Sequence, residues 1–155
     1  MLVDATREDF FKKIEQREVE VQRQFAFLRR FLTPRSVFLH VGASDCALAL
    51  QAASFCERVY AYGVQDGLTS GLRLPLNLRL GIPREPVDIA FSEGFDASMA
   101  ASIRRWLAPG GRYFFYVNGD YRQARNKLRE AGFSDTRFPF LLSVFQRQRI
   151  AAGVN

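Results

Sequence analysis

The 155-residue chain has one histidine, two cysteines and three lysines, and each scarcity excludes something. Cys46 and Cys56 stand ten apart with His40 as the sole imidazole, which supplies neither a disulfide framework nor a zinc site. No apolar run approaches the roughly 18 to 20 residues of a membrane span, so no membrane partner is expected. The opening MLVDATREDF lacks the charged start and apolar stretch of a secretory leader. Two reduced cysteines and no such segment predict a cytoplasmic protein. Against so few lysines stand 19 arginines, which with 16 acids leave a net charge of +6. Only Arg29-Arg30 and Arg104-Arg105 are adjacent and no aromatic-interleaved basic module occurs, so a solvated basic surface is favoured over a nucleic-acid partner. What the chain has in excess is phenylalanine, 15 residues, which calls for an aromatic-heavy core or a contact between subunits.

The pattern predicts a single domain over 1–155, with a helical segment over 7–32 ahead of an α/β core over 36–147. Thr6 and Asp9 have capping-box spacing. Phe10, Ile14, Val21, Phe25, Leu28 and Leu32 recur at intervals of mostly three, four or seven, as on one face of a long amphipathic helix that Pro34 ends. The pattern then changes. SVFLHV, RVYAYGV and VDIAFS read as strands, with NLRL as a possible short one, and RYFFYVN is too apolar to have a wet face. Ser44, Asp96 and Asp120 stand where they can cap the following helices, LAPGG stops the second, and Gly132 ends the third. TRF and LLSVFQRQ read as a closing antiparallel hairpin, with a frayed tail from Ile150. Strands apolar on both faces and alternating with helices point to a parallel sheet, whose ligands bind beyond the carboxyl ends of the strands.

FLTPRSVFLHVGASDCALAL, RVYAYGVQDGLT, VDIAFS and LAPGGRYFF, in that order, resemble the class I S-adenosylmethionine-dependent methyltransferases over about Phe31 to Phe145. The resemblance implies a Rossmann-like seven-stranded sheet, mostly parallel, with helices on both faces. It also implies S-adenosylmethionine lying across the first loop and the ends of the first three strands. Carried over by position, Gly42 matches the first loop glycine. Ala43 and Ser44 replace a proline and a glycine of a related branch, which shares Asp45 and Cys46. Gly63, Val64, Gln65 and Asp66 follow the second strand, and Phe91 with Tyr60 and Tyr62 could stack on an adenine.

Departures from the family pattern fall on the acids. His40 replaces the acid of the first strand, Gly63 replaces the one that holds the ribose hydroxyls, and LRLGIPREP offers no counterpart to the one near the adenine. A charge-assisted hydrogen bond is worth about 1.5 to 3 kcal/mol, so each loss weakens binding by roughly 10- to 150-fold. Asp45, Gln65 and Asp66 are the available substitutes, although Asp45 reads first as a helix N-terminal acid and Asp66 as a solvated turn residue. His40, among apolar neighbours, reads as a hydrogen-bonded structural histidine before a general base. Cys46 reads as a small hydrophobe and Asp88 as structural.

These residues predict a methyltransferase-like protein with an eroded cofactor site, a binding or regulatory subunit meeting a partner or a second copy through its N-terminal helix or a Phe-rich face. The alternatives are an active small-molecule or saccharide methyltransferase with substitute cofactor contacts, and a nucleic-acid-associated basic protein.

Overall fold

A computed structural model describes residues 2–43, 45–64, 73–117, 121–141 and 149–155. The chain runs α1 (Leu2–Leu28), β1 (Val37–Val41), α2 (Ala47–Ala53), β2 (Arg58–Tyr62), β3 (Leu78–Leu80), β4 (Val87–Ser92), α3 (Ala97–Trp106), β5 (Leu107–Val117), α4 (Tyr121–Glu130), β6 (Asp135–Leu141) and β7 (Arg149–Val154). The seven strands form one sheet in the order β3-β2-β1-β4-β5-β7-β6. The first five pair in parallel, and β7 lies antiparallel between β5 and β6. Strand order reverses direction between β1 and β4, which opens a crevice at their carboxyl ends.

Alternation along the strands divides the core. Phe38, Phe91 and Phe114 face α1 and α2, meeting Val21, Phe27, Leu28 and Leu48. Leu39, Tyr113 and Phe115 face α3 and α4, meeting Ile103 and Leu128. Most of the phenylalanine excess is thereby accounted for: Phe27 packs edge-on to Phe114 at 5.4 Å, and Phe95 and Phe115 pair at 4.8 Å. Among the described residues Phe10 and Phe11 are the exceptions, exposed on the first half of α1.

Several expectations hold at the ends of elements. The Asp96 carboxylate accepts from Ser98 N–H at 2.9 Å at the start of α3. Gly132, at φ +98°, closes α4 with the paired bonds Phe133 N–H to Leu128 O and Gly132 N–H to Arg129 O. Asp88 is structural, its carboxylate accepting from Val37 N–H at 2.8 Å.

Other expectations need correction. Thr6 lies inside α1 rather than at its start, because the helix begins at Leu2. LAPGG begins where α3 ends, at Trp106, as expected, but it belongs to the strand: pairing with β4 begins at Leu107, and the turn is a register irregularity inside β5. The tail from Ile150 is not frayed. Residues 149–154 form β7 and pair along both edges, which carries the α/β core past residue 147. Gly153 lies so close to Phe133 and Leu128 that a Cβ there would come within 2.9 Å of the Phe133 ring. The expected strand LLSVFQRQ falls, but for Leu141, outside the described residues, as do the caps Ser44 and Asp120.

Candidate functional site

The crevice is built from the loop after β1, the end of β2 and the end of β4. Gly42 takes φ +69° and lets the chain fold over β2, where Ala43 N–H donates to Tyr62 O at 3.1 Å. Gly63 takes φ +90°, and a Cβ on it would meet Gly42 Cα at 3.3 Å. The two glycines thus allow a close approach of two loops, and the position that carries the ribose acid in the family has neither a side chain nor comfortable room for one. Val64 is half-buried beside the loop, while Ser44, Gln65 and Asp66 lie outside the described residues.

Asp45 does both things an acid can do here. Its Oδ1 accepts from Ala47 N–H at 3.0 Å, steadying the start of α2 in place of a side-chain cap from Cys46, which makes none. Both its oxygens also accept from Arg17 of α1, Nε to Oδ2 at 3.1 Å and Nη2 to Oδ1 at 3.2 Å. The same guanidinium donates through Nη1 to Glu93, just past β4, at 2.9 Å, and lies 3.4 Å from Glu20. One arginine therefore spans the two sides of the crevice. Burial alone would raise the Asp45 carboxyl, but the bonds from Arg17 and Ala47 with the Arg17 charge outweigh it and hold the group below its ordinary range. Arg17 is raised in turn: burial opposes its charge, and Asp45, Glu93 and Glu20 more than compensate.

Close to these charges on the α1 face of the sheet lies His40, fully buried, with Phe91 beside it at 5.7 Å. Neither ring nitrogen has a hydrogen-bond partner. The structural reading of His40 stands as far as burial goes, but the expected hydrogen bond is missing. Burial pushes its pKa down to about 4; Glu93 and Asp45 oppose this weakly, while the Arg17 charge adds to it. It is neutral at pH 7 and has no carboxylate to orient it, which leaves it poorly equipped as a general base. Gln24 is also fully buried, near Tyr116. Neither Gln24 Oε1 nor the Tyr116 hydroxyl reaches hydrogen-bonding geometry, and burial pushes that hydroxyl up to about 12. Phe91 is buried between His40 and Tyr116, with no face open to a ligand.

Sequence reasoning named Asp45 and His40 but missed Arg17, Gln24 and Glu93. The signal was present: Arg17 and Gln24 sit in the apolar stripe of α1, three residues from Ile14 and three from Val21, where a polar side chain must meet something buried. Beyond the ends of β4 and β5 a cavity of about 700 Å³ stays open, lined by Phe95, Phe115, Tyr116, Gln123, Asn126 and Lys127. Among the described residues no cluster of ligands could hold a metal ion, and no helix is long and apolar enough to cross a membrane.

This architecture is the class I methyltransferase fold. The chain superposes on the 1,6-didemethyltoxoflavin-N1-methyltransferase of Burkholderia thailandensis, crystallised with 1,6-didemethyltoxoflavin and S-adenosylhomocysteine, with a TM-score of 0.70 and 18% identity over 97% of this chain and 87% of that one. A methyltransferase of Pyrococcus furiosus gives 0.66 and 19% over 86% and 82%. A Nostoc punctiforme protein assigned as an O-methyltransferase gives 0.67 and 12%, covering 84% of this chain but only 55% of its own length. No protein-family model matches the sequence, and no curated protein matches it.

S-adenosylmethionine is the cofactor this fold implies, and the positions that the sequence resemblance assigns to its acids are occupied as follows among the described residues. The acid position after β2 is Gly63, that of β1 is a buried neutral imidazole, and Asp45 is already held by Arg17.

Proposed function

We propose that this methyltransferase-fold protein does not transfer methyl groups and instead works as a binding or regulatory subunit. The observation that carries the reading is the Arg17 bridge, which joins Asp45 and Glu93 across the crevice where a cofactor would lie. A ligand entering there would have to break three ion-paired hydrogen bonds and would gain no ribose carboxylate from Gly63. The partner surface is α1, whose first half leaves Phe10, Phe11 and Ile14 exposed. Calorimetric titration with S-adenosylmethionine and S-adenosylhomocysteine tests the proposal, and no heat of binding is expected up to millimolar ligand. A thermal melt gives a second readout, because ligand at ~100 times its dissociation constant stabilises by about 2.7 kcal/mol. Micromolar binding would overturn the reading.

The alternative, an active small-molecule or saccharide methyltransferase, is favoured by one observation. The cavity beside Phe95 and Phe115 remains open at about 700 Å³, within the roughly 300 to 1,000 Å³ usual for small-molecule sites. That alternative requires the same titration to show tight binding.

A further inference from the structure

A second cavity, of about 620 Å³, lies at the opposite end of the sheet from the crevice. Arg30 follows the end of α1, Arg35 sits in the turn before β1, and Arg112 lies on β5; all three line this cavity. Phe31 joins two of them, with the Arg30 guanidinium 5.8 Å and the Arg112 guanidinium 5.3 Å from its ring centroid. Arg30 also lies 5.9 Å from the Phe27 ring. Aromatic faces, rather than carboxylates, hold Arg30 and Arg112 in place.

The charge around the cavity is only partly compensated. Asp88 is the one acid among the described lining residues, and one of its oxygens accepts from Val37 N–H. None of the three arginines forms an ion pair with a described residue, whereas Arg17 and Arg58 are both paired. Three like charges gathered at one concavity repel each other unless an anion joins them. Thr33 and Ser36, also lining it, spend their hydroxyls on each other and on the Thr33 and Arg35 N–H groups, so recognition rests with the guanidiniums.

We propose that this cavity binds a small phosphate-bearing ligand, a phosphomonoester or a diphosphate. The planar guanidinium fork matches pairs of phosphate oxygens, and a phosphate carries about twice the charge of a carboxylate on three acceptor oxygens. A single carboxylate would leave at least one guanidinium without a partner. The volume lies in the range of small-molecule sites, about 300 to 1,000 Å³, which leaves room for an organic body attached to the phosphate. This site is independent of whether the crevice binds a cofactor.

The test is calorimetric titration of the full chain with inorganic pyrophosphate at low ionic strength, using wild type, Arg30→Gln, Arg112→Gln and the control Arg129→Gln on α4. Saturable binding at one ligand per chain is expected, weakened about tenfold or more in Arg30→Gln and in Arg112→Gln. The control should change it by no more than about twofold. Arg30 is exposed, so its variant carries the test if Arg112→Gln melts early. No binding at millimolar pyrophosphate overturns the proposal, as does equal weakening by Arg129→Gln, which would mean net charge alone. A single-stranded oligonucleotide that displaces pyrophosphate at a lower phosphate concentration also overturns it, in favour of a polyanion surface.

Discussion

His40 carries the largest uncompensated polar burial at the crevice. Two ring nitrogens without partners cost on the order of 1 to 3 kcal/mol, and the pKa near 4 adds a pH dependence. The unfolded chain binds a proton at His40 near its ordinary 6.5 and the folded chain only near 4, so the unfolded state holds more protons between those values. Stability therefore falls as pH drops through that window, by at most about 3 kcal/mol. Asp45, held below its ordinary range, loses its contribution only at lower pH, as acidification passes through its folded pKa. We expect denaturation midpoints measured between pH 7 and pH 4 to drop steeply in wild type and much less in His40→Leu, with the variant at least as stable at pH 7. A second expectation concerns Gly63→Asp, which would restore the family's acid. At φ +90° and with Gly42 Cα 3.3 Å from the new Cβ, the substitution should cost about 1 to 2 kcal/mol and give no gain in S-adenosylmethionine affinity by calorimetry. His40 and Gly63 were legible in the sequence as departures from the pattern of the family it resembles. The guanidinium that has taken Asp45 was not, because the contact joins residues 28 apart.

Among the elements, β1, β2 and β4 were plain in the sequence because apolar residues fill both faces of a central parallel strand. The strand β7 was hidden for the opposite reason. RIAAGV has small residues and a glycine, a poor strand signal, yet its position opposite Phe133 and Leu128 demands small side chains. Its partner β6 was expected from TRF, and the hairpin was correct in kind but placed too early in the chain. The tail is thus part of the sheet's packing, and Gly153→Val tests this. The added methyls would press into Phe133, 2.9 Å from the first of them, and overpacking of this sort costs about 1 to 3 kcal/mol. Urea denaturation should show that loss. A variant as stable as wild type would mean that β7 contributes little.

At the scale of the whole molecule, one stripe of α1 is buried along the second half of the helix and exposed along the first. Its 27 residues span about 40 Å at ~1.5 Å per residue. Val21, Gln24, Phe27 and Leu28 are buried, Arg17 reaches the crevice, and above it the same stripe continues through Ile14 and Phe10, both exposed. Phe10 is 61% and Phe11 51% exposed, side by side with ring centroids at 6.1 Å. The flanking charges nearly balance, Arg7, Lys12 and Lys13 against Glu8, Asp9, Glu15 and Glu18, so two copies of this helix would not repel each other. If α1 is the partner surface proposed above, an apolar end on a balanced helix suits pairing with its own kind, antiparallel copies burying the phenylalanines together. Sedimentation velocity should show wild type associating as concentration rises into the micromolar range, and Phe10→Gln, Phe11→Gln, Ile14→Gln in one chain remaining monomeric. The three side chains are exposed in the monomer, so the melting temperature of the triple variant at low concentration should match wild type. A wild-type chain that stays monomeric throughout would rule out self-pairing, and a triple variant that melts much earlier would mean that these residues belong to the fold rather than to a partner surface.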